Sequence, residues 1–189
     1  DIIDKLIYNP ETLNTNYYDA VFWKRKGIKG LIIAKEITYN DIVSIAKNAD
    51  LEIGMIGHGH LNMFHSRRPL IENFMKYNEK EYEAYIENRN LRLVEEIRDE
   101  SYPIFQDQHG THIFREKAMM SFEEISQLQN GVDLFIIDSI FKSDQYTVDV
   151  LKDYKRIINN DVQVDDIVEK YKSSHDTGFL HKKTVYDKY

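Results

Sequence analysis

The segment from Glu52 to Arg68, EIGMIGHGHLNMFHSRR, holds a dense set of side chains that could do chemistry. An apolar run gives way to three histidines, an asparagine and two arginines within eleven positions. In an extended chain His58 and His60 project to the same side, and Glu52 or Asp138 could add a carboxylate ligand for a metal ion. No His-Glu-x-x-His helix and no settled third ligand accompany them, so we predict no metal site. The segment is either the polar end of a strand that leads into an active site or an ordinary polar loop.

The elements that would position these groups alternate between strand and helix. Apolar runs near residues 5, 31, 51 and 134 predict strands, and each of them is followed by a predicted helix. Thr38 with Asp41 predicts a capping-box helix start, and Ser121 with Glu124 predicts another. The last long helix is expected to bury the stripe Val148, Leu151, Tyr154 and Ile158.

Consecutive strand–helix units form right-handed crossovers in a parallel sheet. The predicted fold class is therefore α/β, and four strands are half of a TIM-barrel-like (β/α)₈ barrel, whose whole usually needs about 250 residues. Either the sheet is open, or the chain holds half of a barrel and is cut from something longer.

Residues 76–119 interrupt this pattern. A charged segment precedes YPIFQDQHGTHIF, which predicts two antiparallel strands joined at His109-Gly110. We therefore divide the sequence into a partial barrel over 1–160 with a hairpin insertion over 76–119, and a C-terminal helix and polar tail over 161–189.

Functional groups of parallel α/β folds cluster at the carboxyl ends of the strands. The predicted strand ends here are polar, which also fits loops that simply meet water. In chain order they carry Asn9 and Glu11, then Lys35 and Glu36, then His58, His60 and Asn62, then Asp138 and Lys142. Arg67 and Arg68 could bind a phosphate or carboxylate, or could pair with Glu72 at a helix start.

Composition excludes several classes of protein. No cysteine occurs in the 189 residues, which rules out disulfides, thiolate nucleophiles and cysteine-ligated iron–sulfur clusters within this chain. The formal net charge of −7 argues against broad electrostatic capture of nucleic acid, although a local basic patch could still dock RNA. No apolar run is long enough to span a bilayer, and no signal peptide precedes the first strand, so we expect a cytoplasmic protein without a membrane partner.

Four ordered motifs resemble peptidase family U-32, the collagenase-like proteases. They are NPETLNTNYYDAVFWKRKGIKGLIIAKEIT, HGHLNMFHSRRPLIENF, YPIFQDQHGTHIF and FIIDSIFKSDQYTVDVLKDYKRII. The resemblance covers nearly the whole chain, is nearest to the branch that hydroxylates the wobble uridine of tRNA with prephenate, and implies the C-terminal part of a (β/α) barrel.

The sequence also departs from this family pattern. Asn62 and Pro69 stand where the family has cysteines, Lys35 stands for its usual arginine, and the residues from Asp138 to Ile140 replace its frequent Glu-Gly-Arg. The resemblance therefore lends no iron–sulfur cofactor.

We predict site residues from the strand ends and the motifs together. The predicted catalytic residues are His58, Asp138 and Glu36. The predicted substrate-binding residues are Lys35, Arg68, Lys142, His60, Asn62 and His112.

Three hypotheses of function follow from the resemblance. The first is prephenate-dependent hydroxylation of tRNA, with prephenate as cosubstrate, anionic groups bound by Lys35, Arg68 and Lys142, and the insertion presenting the anticodon loop. Aromatic side chains of the insertion could stack on RNA bases, namely Tyr77, Tyr82, Tyr85 and Tyr102. The second is a peptidase that activates water through a metal on His58 and His60 or through the pair Glu36 and Asp138. The third is a non-catalytic partner of a second family member; exposed sheet edges would also favour a homodimer.

Overall fold

The computed structural model describes residues 2–80, 88–97 and 100–182, and these residues form two compact units. The larger unit combines the segment that ends at Gly59 with the segment that starts at Met119. The smaller unit is His60–Ala118, so it begins earlier in the chain than the insertion predicted over 76–119. Across the described residues, no helix is both long and apolar enough to cross a bilayer.

The ten strands found in the described residues are β1 Ile7–Tyr8, β2 Gly30–Ile32, β3 Glu52–Gly59, β4 Asn62–Ser66, β5 Arg92–Glu95, β6 Glu100–Asp107, β7 Gly110–Phe114, β8 Ala118–Met120, β9 Leu134–Ile137 and β10 His175–Asp176. The α-helices there are α1 Tyr17–Arg25, α2 Tyr39–Asn48, α3 Leu70–Tyr77, α4 Ile125–Leu128, α5 Asp144–Ile158 and α6 Val164–Tyr171.

A parallel sheet forms the centre of the larger unit. Its strands β1, β2, β3 and β9 lie side by side in that order, and all four were predicted from the apolar runs. The end of β3 also pairs antiparallel with β8, and β10 is the next strand of the sheet beside β8. The protein is thus a mixed α/β protein with a parallel sheet; across the described residues the sheet does not close into a barrel.

Local capping explains where the first helices begin. Thr38 and Asp41 form the predicted capping box of α2, and Asn16 with Asp19 forms another at α1. The predicted cap at Ser121 is wrong, because its hydroxyl donates to the backbone oxygen of Gly57, 2.9 Å away, and α4 starts without a side-chain cap.

Helix α5 turns a different face to the core than the sequence stripe predicted. Val148, Leu151 and Ile158 are 40–46% exposed, whereas Val150 and Ile157 are buried with Tyr154. The buried face packs with Phe122, Ile125 and residues of α6. The described part of the predicted tail also packs into this unit, since β10 joins the sheet and Leu180 is buried.

The smaller unit is an antiparallel sheet with the strand order β4, β7, β6, β5, accompanied by α3. Strands β6 and β7 are joined at His109-Gly110, which confirms the predicted hairpin. The N-terminus of α3 is capped from a distance, because the side-chain oxygen of Gln106 accepts from the backbone N–H of Ile71 at 2.9 Å.

Candidate functional site

His58 lies at the carboxyl end of β3, inside the larger unit, and is fully buried. Both ring nitrogens lie near tyrosine hydroxyls: Nε2 is 2.6 Å from Tyr146 Oη and Nδ1 is 3.3 Å from Tyr154 Oη. The rings of Phe122, Tyr171 and His175 lie 5.1–5.8 Å from it, centroid to centroid. The predicted catalytic imidazole is therefore held among aromatic rings and is shielded from solvent.

Tyr146 links His58 to a second buried histidine. Its hydroxyl oxygen is 2.6 Å from His58 Nε2 and 2.6 Å from His175 Nε2. Burial raises the pKa of the Tyr146 hydroxyl, and the neighbouring Tyr171 and Tyr154 raise it further. The hydroxyl consequently stays protonated at neutral pH and can act as a hydrogen-bond bridge between the two imidazoles.

The hydroxyl groups of Tyr154 and Tyr171 are held by hydrogen bonds to the backbone and to one buried carboxylate. Tyr154 Oη accepts from the Ser121 backbone N–H at 3.1 Å, and burial raises its pKa. The Tyr171 hydroxyl donates to Asp153 at 2.9 Å, where the Lys170 ammonium also donates at 2.7 Å. The hydrogen bond to this carboxylate raises the pKa of Lys170, so Asp153 is compensated despite its burial.

Asp138 and Lys142 follow β9 at the same end of the sheet. The Asp138 backbone N–H donates to the backbone oxygen of His58 at 2.8 Å, while its carboxylate accepts from the Ile140 backbone N–H at 3.0 Å. The Lys142 ammonium lies 5.3 Å from the centre of the Tyr146 ring. Lys142 and His58 therefore contact the same tyrosine.

Lys35 and Glu36 lie at the end of β2. The Lys35 side chain is only 5% exposed, and its ammonium is 3.6 Å from Glu36 and 3.9 Å from Glu11. Glu11 adopts a positive φ of 65°, a conformation that costs free energy in non-glycine residues. Two carboxylates beside one ammonium make this a mixed-charge group rather than a simple anion site.

The remaining predicted residues belong to the smaller unit. His60 is buried, with Nδ1 3.0 Å from the backbone oxygen of Arg115. Asn62 Nδ2 lies 3.1 Å from His112 Nδ1, and the His112 ring stacks on His65 at a centroid distance of 4.5 Å. Arg68 is exposed, and its backbone oxygen accepts from the Thr111 hydroxyl.

The predicted stacking residues have different environments. Tyr77 is 88% exposed at the end of α3, whereas Tyr102 is half-buried and its hydroxyl contacts Glu100. Tyr82 and Tyr85 lie outside the described residues.

The structure thus joins some predicted site residues and leaves others in separate groups. His58 and Lys142 meet at Tyr146, Lys35 pairs with Glu36, and Asn62 contacts His112. Sequence reasoning missed Tyr146 and His175. In the described part of the chain, no three His, Asp or Glu side chains are grouped so that they could hold a metal ion.

The chain belongs to peptidase family U32, whose model matches residues 5–185. It is 36% identical, over 96% of its length, to tRNA hydroxylation protein P2 of Bacillus subtilis. It is 27% identical to tRNA hydroxylation protein P of Helicobacter pylori and 20% identical to tRNA hydroxylation protein P1 of Bacillus subtilis, each over 77% of this chain. The chain spans 64% of the first relative's length and 35–36% of the other two. No solved structure matches it significantly.

Proposed function

We propose that this protein acts in the hydroxylation of uridine in tRNA. The observation that carries the proposal is the match to tRNA hydroxylation protein P2, which extends along 96% of the chain. The strand ends support it, because they bring an ammonium group and a histidine-bridged phenol together at the edge where parallel α/β folds bind their ligands. A tRNA substrate implies a cytoplasmic location.

We assign the predicted residues to roles on this basis. Lys142 would bind an anionic group of the substrate or of prephenate, the proposed cosubstrate, and His58 would act through the Tyr146 hydroxyl. Asp138 and Glu36 remain candidate catalytic carboxylates. Lys35, His60, Asn62, Arg68 and His112 remain candidate substrate-binding residues. Tyr77 is the exposed stacking candidate of the smaller unit, which would present the anticodon loop.

The larger unit would be half of a TIM-barrel-like fold. Supporting this, apolar side chains are exposed near both ends of the parallel strand order. Ile2, Ile3, Leu6 and Ile7 are 38–69% exposed at the β1 end, and Val148, Leu151 and Ile158 are 40–46% exposed on the helix that follows β9. Apolar surface beside strand edges that are unpaired among the described residues favours association with a further copy or with a second family member. A strictly monomeric mass in light scattering would count against this association.

Nucleoside analysis tests the function directly. We expect deletion of the gene in its host to abolish 5-hydroxyuridine and its derivatives in bulk tRNA, and reintroduction of the gene to restore them. An unchanged nucleoside profile after deletion would refute the proposal. The peptidase alternative rests on the family description, and it predicts that unchanged profile.

Prephenate binding has its own test. Thermal unfolding of the purified protein should shift upward with prephenate, and Lys142→Met should reduce the shift. Lys152→Met, which changes an exposed lysine of α5, is the control and should leave the shift intact. Equal shifts in the wild type and in Lys142→Met would remove Lys142 from the site.

A further inference from the structure

Two buried histidines flank the hydroxyl of Tyr146, and neither is placed to meet a substrate itself. His58 is fully buried and His175 is 3% exposed, whereas Tyr146 is half-buried at the start of α5. This helix start follows β9, at the carboxyl ends of the parallel strands. Tyr146 is therefore the least buried residue of this trio, and it lies on the functional side of the sheet.

The hydrogen-bond acceptors at the far end define where the protons can lie. His175 Nδ1 is 3.2 Å from the backbone oxygen of Tyr171, which can only accept, and we therefore assign a proton to this nitrogen. In the neutral ring His175 Nε2 is then an acceptor and receives the Tyr146 O–H at 2.6 Å. The Tyr146 oxygen in turn accepts from His58 Nε2–H, and His58 thereby orients the phenol toward His175.

The far end of this chain reaches the surface. His175 Nδ1 lies 2.9 Å from the hydroxyl oxygen of Ser174, and Ser174 is exposed. A proton that arrives at His175 thus has a hydrogen-bonded route to water. The chain of contacts runs from the strand ends, through Tyr146 and His175, to Ser174.

We propose that Tyr146, His175 and Ser174 form a proton-transfer path that takes a proton from a bound substrate, with His58 as the residue that positions Tyr146. This deepens the proposed function and rests on it. The substrate's proton passes to the Tyr146 oxygen as the phenol's own proton moves to His175 Nε2. His175 Nδ1–H is then released through Ser174 to water, and the electron pair stays on the substrate.

The proposed path does not require a free tyrosinate at position 146. Burial raises the pKa of Tyr146, so a free tyrosinate is unfavourable in this environment. In the proposed path the phenol gives up one proton as it gains another, and the imidazole carries the positive charge. The Lys142 ammonium, over the same ring, is positioned to favour the anion that forms on the substrate.

The test compares Tyr146→Phe with Tyr171→Phe. Both remove a hydroxyl from the same aromatic cluster, but the Tyr171 hydroxyl contacts Asp153 and lies outside the path. Each variant replaces the chromosomal gene under an inducible promoter, and the rate at which 5-hydroxyuridine accumulates in tRNA is measured after induction. We expect Tyr146→Phe and His175→Gln to lower the rate about 100-fold, the low end of the range for acid–base catalysis, and Tyr171→Phe to stay near wild type.

A second substitution separates proton transfer from folding. 3,5-Difluorotyrosine at position 146 keeps the phenol's place but makes it more acidic, so a change in rate with an unaltered unfolding temperature supports the path. Wild-type rates in both Tyr146→Phe and the fluorinated variant would overturn it.

The hydrogen-bonded path can also be tested without measuring activity. ¹⁵N NMR of the imidazole rings in the purified protein should show both His58 and His175 change tautomer populations in Tyr146→Phe but not in Tyr171→Phe. Unperturbed imidazoles would refute the path. Wild-type protein that restores no 5-hydroxyuridine would refute the proposed function, while this spectrum would still decide the hydrogen-bonded path.

Discussion

Gly59 gives the sharpest prediction about how the site is held together. It ends β3 beside His58 with φ +125°, and a Cβ there would come within 2.1 Å of the backbone oxygen of Asp138. Gly59→Ala therefore adds backbone strain of about 1–3 kcal/mol. Relieving the contact moves two strand ends apart, which adds about 1–3 kcal/mol. We expect a total loss of roughly 4 kcal/mol in the free energy of unfolding, a large part of a typical domain's stability.

Gly27→Ala is the matched control for this change. Gly27 also has a positive φ, +85°, but its added Cβ would meet only Ile3, at an ordinary 3.5 Å. The conformational penalty alone should cost about 1–2 kcal/mol. Urea unfolding followed by the fluorescence of Trp23, the one tryptophan, reports on the larger unit in both variants. Losses that agree within about 1 kcal/mol would refute the steric argument.

Three further changes test the supports around the two units. Asp153→Ala should lower the free energy of unfolding by about 2–3 kcal/mol, because it removes the charged acceptor of Lys170. This loss should become smaller as pH rises through the raised pKa of Lys170, where the ammonium loses its charge. Urea unfolding at pH 7 and above about 10.4 measures both values. Gln106→Ala should cost about 1 kcal/mol and speed hydrogen exchange at Ile71, which Gln106→Glu should not do. Burial opposes ionisation of Asp107, but hydrogen bonding and nearby histidines lower its pKa overall. The ionised carboxylate therefore stabilises the fold, and Asp107→Asn should lower the free energy of unfolding at neutral pH. This difference between wild type and variant, measured by circular dichroism, should vanish as pH falls below about 4.

The parallel strands could be predicted because their signals are local. Short apolar runs bounded by turns gave β1, β2, β3 and β9, and the Thr38–Asp41 spacing gave the start of α2. The hairpin at His109-Gly110 is local for the same reason. Closure into a barrel, in contrast, depends on pairing beyond these elements.

The face of α5 could not be chosen from apolar residues alone. The stripe through Val148 and Leu151 is apolar, but the face that packs inward holds Tyr146 and the charged Asp153. That face is buried because α6 supplies Lys170 as partner for Asp153 and because His58 bonds Tyr146. These partners lie 17 and 88 positions away in sequence, beyond the reach of helical periodicity.

Tyr146 and His175 were missed for the same reason. A tyrosine every few residues along an amphipathic helix is ordinary core material, and one histidine in a polar tail carries no spacing signal. What marks them is the meeting of two imidazoles at one phenol oxygen, which requires β3, α5 and β10 to be assembled.

A last prediction concerns the side-chain amide of Asn62 in the smaller unit. Its amide nitrogen donates to His112 Nδ1, which leaves Asn62 Oδ1 buried without a hydrogen-bond partner among the described residues. The neutral His112 ring therefore carries its proton on Nε2, 3.7 Å from Asp107 Oδ1. In protonated His112 the Nδ1–H would face the Asn62 amide N–H, so two hydrogen-bond donors would point at each other. Rotation of the Asn62 amide would turn Oδ1 toward the ring and restore a donor–acceptor pair.

We therefore expect the Asn62 side-chain amide resonances to shift in step with His112 protonation during an NMR pH titration. Asn62→Asp, which offers an acceptor in either orientation, should accept from the His112 Nδ1–H without any rotation of the side chain. Asn88→Asp is the control, because the Asn88 side chain accepts from the backbone N–H of Asn90 in a loop. Asn62 amide resonances that stay unchanged when His112 becomes charged would show that the amide does not respond to the charge of His112.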